Sequence, residues 1–300
     1  NSGRNCLEHI VKSNKINNLF IPYYICPEIV HRLNKINVKI YFYHIDEKLE
    51  IKNLKKIISK DIPILYVNYF GIKNDYLSYI NDLYDKLIID NAQSFFSNYL
   101  GNLATFYSPR KFFGVPDGGY LYLMHSKVEV IDYPRENSKN RFKHLIENID
   151  NNPESGYNDY KVNEYKIGQS DIMRMSTVTT KLLSGVNYDS VIKKRKRNYL
   201  FVHENLRNIN ELNINIAQHD VPNYYPLMVG QKRLRAILIK RKIFIPTLWP
   251  GMDQFINSTS FEAKLVNELL PIPIDQRLSI NHMKYIIDNI NEIINYLVKQ

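Results

Sequence analysis

Two charged residues, 21 positions apart, stand where this sequence could carry out chemistry. Asp90 ends an apolar run, and Lys111 lies between aromatic residues in the run 104–114, ATFYSPRKFFG. A carboxylate at the end of a strand stays ionised when it faces a pyridinium-type N–H. Aromatic neighbours disfavour the ammonium form of a lysine, which helps it to become the neutral amine that forms imines with carbonyl groups. The pair therefore predicts carbonyl chemistry, although Asp90 could instead be the N-cap of a helix.

Two glycine-containing segments accompany this pair. Gly118 and Gly119 precede the apolar run 120–122, which predicts an unusual backbone conformation or a close approach of two backbones. The first residues, NSGRNCLEHIV at 1–11, predict a small-residue turn that opens a helix. The free N–H groups of such a helix terminus bind phosphate.

The elements that must position these residues alternate along the first 125 positions. Apolar runs predict strands at 18–22, 38–45, 62–67 and 86–90. Helical spacing of apolar residues is found between them at 27–33, 51–59 and 75–83. Strands separated by helices predict a mostly parallel α/β sheet, with the ligand site beyond the carboxyl ends of the strands.

The second half of the chain predicts a smaller α+β domain. Residues 133–164 are polar and without a sustained period, which indicates a long loop or short irregular helices, and 177–206 predict one long helix. The last predicted elements are strands at 213–216, 225–229 and 243–246, and helices at 231–241 and 280–297. We divide the chain into a large domain, 1–190, and a small domain, 191–300.

Composition narrows the functional classes. The formal net charge is +10 over 300 residues, but the charges are scattered, and the dense basic run 193–197 is predicted to be a solvated helix face. We therefore expect no nucleic-acid partner. No run of about 18 apolar residues occurs, so we expect no membrane partner and a cytoplasmic location. The two cysteines and the histidines lack metal-ligand spacing, and we expect no metal site.

In this order, the motifs resemble those of the DegT/StrS family of sugar aminotransferases. The matching runs are NSGRNCL at 1–7, IPYY at 21–24, DNAQ at 90–93, TFYSPRK at 105–111 and DGG at 117–119. The resemblance extends to YPLMV at 225–229, IFIP at 243–246 and LPIPIDQRLS at 270–279. It implies the aspartate-aminotransferase fold, with a large domain that binds pyridoxal 5'-phosphate.

The resemblance also implies roles for single residues. Lys111 would hold the cofactor as an imine and then move a proton between the substrate carbon and the cofactor. Asp90 would bind the pyridine nitrogen, and Gln93 would lie against the ring. The remaining implied cofactor contacts are Gly3, Arg4, Asn5, Thr105, Ser108 and Tyr24.

Several of these positions depart from the family pattern. The family usually has Thr where Arg4 stands, and the arginine either contacts the phosphate or points away. Thr105 and Ser108 are rivals for the hydroxyl that binds phosphate. The fourth position past Pro22 is Cys26 in place of an aromatic residue or histidine, so Tyr23 or Tyr24 would stack on the ring.

The resemblance implies an activity and an assembly. The enzyme would move an amino group from an amino acid, glutamate by analogy, to a keto group of a nucleotide-linked sugar, for surface polysaccharide or natural-product biosynthesis. The active site would lie at a homodimer interface. The alternatives are a different keto substrate, or a non-catalytic relative that binds the cofactor or acts as a scaffold.

Overall fold

The architecture is taken from a computed structural model, which describes residues 1–124 and 130–298. The strands are β1 Asn18–Pro22, β2 Lys39–Tyr43, β3 Ile64–Val67, β4 Leu87–Asn91, β5 Ala104–Tyr107, β6 Tyr120–Leu123, β7 Tyr224–Met228 and β8 Leu269–Pro273. The helices are α1 Gly3–Ser13, α2 Pro27–Lys35, α3 Leu54–Ile58, α4 Asn74–Leu83, α5 Lys143–Asp150, α6 Tyr157–Gln169, α7 Thr177–Ser184, α8 Tyr188–Leu206, α9 Leu234–Lys240, α10 Phe261–Glu268 and α11 Ile280–Val298.

In the part of the chain that the structure describes, six strands form the main sheet, in the order β2-β1-β3-β4-β5-β6. All neighbouring pairs are parallel except β5 and β6, which run antiparallel. Every residue of β3, β4 and β5 is buried, which is why these segments are nearly continuous apolar runs. The predicted α/β class with a mostly parallel sheet is confirmed.

The first half of the chain follows the sequence predictions closely. The four predicted strands are present as β1 to β4, although β2 and β3 are shorter than predicted. The three predicted helices are present as α2, α3 and α4, with α3 reduced to five residues. The predicted helix start is α1, which Ser2 caps by accepting a hydrogen bond from the Asn5 N–H at 3.2 Å.

The second half differs more. Two helices, α5 and α6, occupy half of residues 133–164, so of the two predicted alternatives the short helices are present and the long loop is not. The helix predicted at 177–206 is broken at 185–187, where Asn187 caps α8 through the N–H of Ser190. The strands predicted at 213–216 and 243–246 are wrong, because neither segment pairs with another strand. Instead, β7 pairs antiparallel with β8, a segment whose prolines suit a two-stranded sheet.

One continuous core joins the two halves. Buried apolar residues run from α1 and the main sheet to β7, β8 and the inner face of α11. The predicted boundary at residue 190 falls inside α8, and the division into two domains stays a prediction. Among residues 1–124 and 130–298, no helix has the length and apolar character needed to cross a membrane.

Candidate functional site

Asp90 lies at the carboxyl end of β4, in the middle of the sheet. Its side chain is 7% exposed, and its Oδ1 accepts a hydrogen bond from the Ala92 N–H at 2.8 Å. Burial raises the pKa of Asp90 to about 6, against the opposing effects of that N–H and of the nearby Lys111 charge. A turn follows Asp90 rather than a helix, so the N-cap alternative is wrong. The site therefore holds a buried carboxylate that a cationic partner would stabilise.

The N-terminus of α1 lies on the same side of the sheet as Asp90. In the sheet, Asp90 is paired with Phe106, so the two side chains point the same way, as does Ser108 two residues farther on. A Cβ placed on Gly3 would lie 3.5 Å from the Phe106 ring and 3.8 Å from the Ser108 Cβ. Ser108 therefore stands beside the first turn of α1, where backbone N–H groups lack helical acceptors.

The rival hydroxyl, Thr105, is on the other face of the sheet. Thr105 is paired with Ile89 and Tyr122, one residue out of phase with Asp90 and Phe106. Its Oγ1 is buried and has no hydrogen-bond partner among the described residues. The geometry thus separates two hydroxyls that the sequence left equivalent.

Lys111 ends a short 3-10 turn that follows β5. Its backbone N–H donates to the Ser108 carbonyl oxygen at 3.2 Å, and its charge acts on the pKa values of Asp90, Cys26 and Tyr224. The expected aromatic enclosure is not present in the single chain, because the Lys111 side chain is exposed while Phe112 is buried. The aromatic residues flank the backbone of the turn and leave the amine in solvent.

The segment that follows the lysine turn, residues 117–119, packs against α1. The buried Asp117 carboxylate accepts hydrogen bonds from Ser138, Ser176 and Thr179. Gly118 has a φ of +126°, and a Cβ on Gly119 would lie 2.8 Å from the Cys6 Sγ of α1. The predicted close approach and unusual dihedral are both confirmed.

Two of the expected phosphate ligands have other partners. The Arg4 guanidinium donates to Glu28 at 3.1 Å and to Glu164 at 3.4 Å. The Asn5 amide group donates to the Asn1 side chain at 2.6 Å and accepts from Arg32 at 2.8 Å. These side chains tie α1 to α2 and α6, which leaves the backbone N–H groups of the first turn as the phosphate donors that α1 offers.

The expected ring contacts are also engaged elsewhere. Tyr24 is fully buried against Tyr69 and Trp249, with ring centroids 5.6 and 4.8 Å away. Gln93 accepts a hydrogen bond from the Phe70 N–H at 3.0 Å. From the segment 23–26, it is Cys26 whose thiol lies within reach of the Lys111 charge.

A cavity of about 380 Å³ opens beside Lys111. Its walls come from the lysine turn, from α5 and α6, and from residues 273–277 after β8. The described residues that line this cavity do not include Asp90, Gly3 or Ser108. The cavity is therefore next to the space that Asp90 faces and is not that space itself.

Two residues of this cavity were missed in the sequence. Arg195 belongs to the basic run at 193–197, yet it is 1% exposed, so the predicted solvated helix face is wrong at this position. Its burial has a signal in the sequence, because it lies four residues before Tyr199, on the buried stripe of α8. Asn223 lines the cavity from the segment before β7, and no sequence pattern marks it.

These residues fit pyridoxal phosphate at three points. A buried carboxylate with a raised pKa suits a ring N–H cation, a helix N-terminus beside Ser108 suits a phosphate, and a lysine near both suits the aldehyde. No group of side chains suited to a metal ion occurs in the described part of the chain.

Three solved structures that are similar to this chain are aminotransferases of low sequence identity. Spr1654 from Streptococcus pneumoniae, a putative sugar aminotransferase in its PMP form, has a TM-score of 0.67 at 14% identity, covering 100% of this chain and 87% of that one. PseC from Helicobacter pylori, an aminotransferase involved in the biosynthesis of pseudoaminic acid, has a TM-score of 0.62 at 13% identity, covering 97% and 85%. A DegT DnrJ EryC1 StrS aminotransferase from Brucella abortus has a TM-score of 0.64 at 14% identity, covering 97% and 84%.

These likenesses establish the fold. No protein-family model matches the sequence, and a search of curated proteins found no match. The chain has the fold of the three aminotransferases, as its motifs predicted.

Proposed function

We propose that the chain is a pyridoxal-phosphate-dependent aminotransferase that moves an amino group from glutamate to a keto group of a nucleotide-linked sugar. One observation carries this: buried Asp90, the α1 terminus with Ser108, and Lys111 meet at the carboxyl edge of one sheet. The same fold in sugar aminotransferases, one of them in its PMP form, supports the chemistry.

In this proposal, each residue of the chain has a defined task. Asp90 would hold the ring nitrogen, and the ring, when bound, would supply an electron sink for the carbon that loses or gains a proton. Ser108 and the backbone N–H groups of Gly3 and Arg4 would bind the phosphate, and Thr105 would not. Gln93, held by Phe70, keeps the turn after β4 in place.

Lys111 has two tasks that need different protonation states. As a neutral amine it would hold the cofactor at its aldehyde group, and it would later carry the proton at the substrate carbon. In the single chain, the Lys111 side chain is exposed to water. The site therefore needs a cover over Lys111, and a second copy of the chain is the cover that we propose.

The surface beside Lys111 is suited to such a homodimer. Phe95 lies 5.0 Å from Phe113 and 6.0 Å from Tyr120, and the exposed rings of Tyr99 and Tyr122 stack at 4.6 Å. Exposed aromatic groups of this extent mark interaction surfaces. The homodimer and the cytoplasmic location are parts of the proposal.

A non-catalytic relative that binds the cofactor is the second candidate. It is favoured by the exposure of Lys111 in the single chain. Retention of both Asp90 and Lys111 favours the enzyme, because a scaffold needs neither side chain. A different keto substrate for the same chemistry is the remaining alternative.

The experiment that separates these candidates is covalent trapping of the cofactor at Lys111. An enzyme gives a visible absorption band that borohydride abolishes and that glutamate converts, whereas a scaffold gives no conversion by glutamate. Keto-sugar nucleotides are then screened as acceptors that restore the band.

A further inference from the structure

The cavity beside Lys111 contains a buried cation without a carboxylate partner. The Arg195 Nε donates to the Gln276 side-chain oxygen at 2.9 Å, and Nη1 donates to the carbonyl oxygens of Pro222 at 3.3 Å and Asn223 at 3.1 Å. All three acceptors are neutral. For Nη2, the described residues provide no hydrogen-bond acceptor.

Among the described residues of that lining, the one carboxylate is directed at another arginine. Asp275 accepts hydrogen bonds from the backbone N–H and the guanidinium of Arg277, the shortest at 2.8 Å. Burial lowers the pKa of Arg195 to about 10, and the Asp275 charge opposes that shift only in part. The positive charge of Arg195 is therefore left largely uncompensated, and it faces a cavity.

A second, independent group in the same lining lacks a partner. Asn223 is 4% exposed, and its Nδ2 is buried with no hydrogen-bond acceptor among the described residues. Buried amide donors are almost always satisfied in native proteins, so an orphan that lines a cavity indicates a ligand oxygen. Arg195 already contacts the Asn223 backbone, so both free donors belong to one corner of the cavity.

We propose that Arg195 Nη2 and Asn223 Nδ2 form the subsite that binds a carboxylate group of the amino-acid donor. This rests on the proposed aminotransferase function. A carboxylate presents two oxygens to two N–H donors, one charged and one neutral, which suits this corner better than a phosphate with its higher charge.

The position of the subsite fits the chemistry at Lys111. The Arg195 guanidinium lies 4.5 Å from the centre of the Phe112 ring, and Phe112 follows Lys111 in the chain. Gln276 links the two, because its Nε2 donates to the Phe112 carbonyl oxygen at 2.7 Å. A donor carboxylate held here keeps the amino-bearing carbon within the cavity that the lysine lines.

Calorimetric titration of the full chain with glutarate tests the subsite. Glutarate carries the two carboxylates of glutamate without its amine, so it binds without reacting. Arg195→Gln and Asn223→Ala are expected to raise the glutarate Kd by about tenfold or more and by about threefold, respectively. Lys194→Gln, on the exposed side of the same helix, is the matched control and leaves the Kd unchanged.

The outcomes separate the subsite from its rivals. The proposal is overturned if Arg277→Gln weakens glutarate binding and Arg195→Gln does not. It is also overturned if inorganic phosphate binds more tightly than glutarate and that binding depends on Arg195. If circular dichroism shows that Arg195→Gln does not fold, the glutarate Kd values of Asn223→Ala and Asn223→Ser test the subsite instead. If the variants keep the visible absorption band of the cofactor held by Lys111 and their glutarate Kd is unchanged, the subsite is rejected. The proposed function is not affected by that result.

Discussion

At the scale of residues, the central feature is a carboxylate buried at a cost to stability. Asp90 has one described hydrogen bond, to the Ala92 N–H, and its pKa is raised to about 6 by burial. A buried carboxylate that destabilises the fold is typical of a functional position, where a cationic partner would stabilise it. Lys111 provides charge nearby, but its exposed side chain does not bind the carboxylate.

We expect Asp90→Asn to stabilise the chain without cofactor at pH 8. The folded-state pKa, about 6, lies above the ordinary value of 3.8, so the folded chain holds a proton that the unfolded chain releases. The contribution of protonated Asp90 to the free energy of unfolding is thus present below pH 4 and lost as the pH rises to 6. The difference between these two pKa values is worth about 3 kcal/mol, which Asn, still accepting from the Ala92 N–H, would recover.

Urea unfolding at pH 5 and pH 8 measures this effect. The difference between variant and wild type should widen toward pH 8, and Asp82→Asn on the exposed side of α4 should show no such trend. Added pyridoxal phosphate should stabilise the wild type more than Asp90→Asn. A variant that is less stable at pH 8 without cofactor would refute the burial argument.

At the scale of elements, strand phase decides which hydroxyl faces α1. Ser108 and Phe106 share the side of Asp90, and Thr105 is one residue out of phase. The sequence showed the hydroxyls but not the pairing register, because register depends on which residues of β4 and β5 are neighbours.

Ser108→Ala should therefore weaken pyridoxal phosphate binding, and Thr105→Val should not. A hydroxyl bonded to a phosphate oxygen is worth about tenfold in affinity, whereas the unpartnered Thr105 Oγ1 contributes none. Titration followed by absorbance gives both affinities. An equal loss in the two variants, or a loss with Thr105→Val alone, would assign the phosphate to the other face of the sheet.

The sequence predicted the elements best where burial imposes one pattern. The strands β1, β3 and β4 are apolar because both sheet faces are covered, and their carboxyl ends correctly located Asp90. In residues 133–164, the sequence did not distinguish α5 and α6 from a loop, because polar, half-exposed helices lack a strong apolar period. The orphan donor of Asn223 depends on three-dimensional neighbours and was beyond prediction.

At the scale of the whole molecule, the exposure of Lys111 argues for assembly. The aromatic surface beside it includes Tyr99 and Tyr122, whose exposed fractions are 57% and 47%. Covering this surface with a second copy would remove water from the lysine turn.

Tyr122→Glu should convert the proposed homodimer to a monomer, because a carboxylate would be buried in the interface without a partner. Analytical ultracentrifugation measures the mass of each species. Tyr285→Glu, at an equally exposed tyrosine of α11, is the control and should remain dimeric. A wild type that is monomeric at all concentrations would exclude the proposed cover.

The most direct measurement is the absorption spectrum of the chain with pyridoxal phosphate, before and after borohydride, in the wild type and in Lys111→Ala. The wild type is expected to show a visible band that borohydride removes, with one pyridoxyl phosphate group found by mass spectrometry on the peptide that contains Lys111. The band and the added mass should both be absent from Lys111→Ala. No band in the wild type, or an added mass on another lysine, would contradict the assignment of Lys111 as the residue that holds the cofactor.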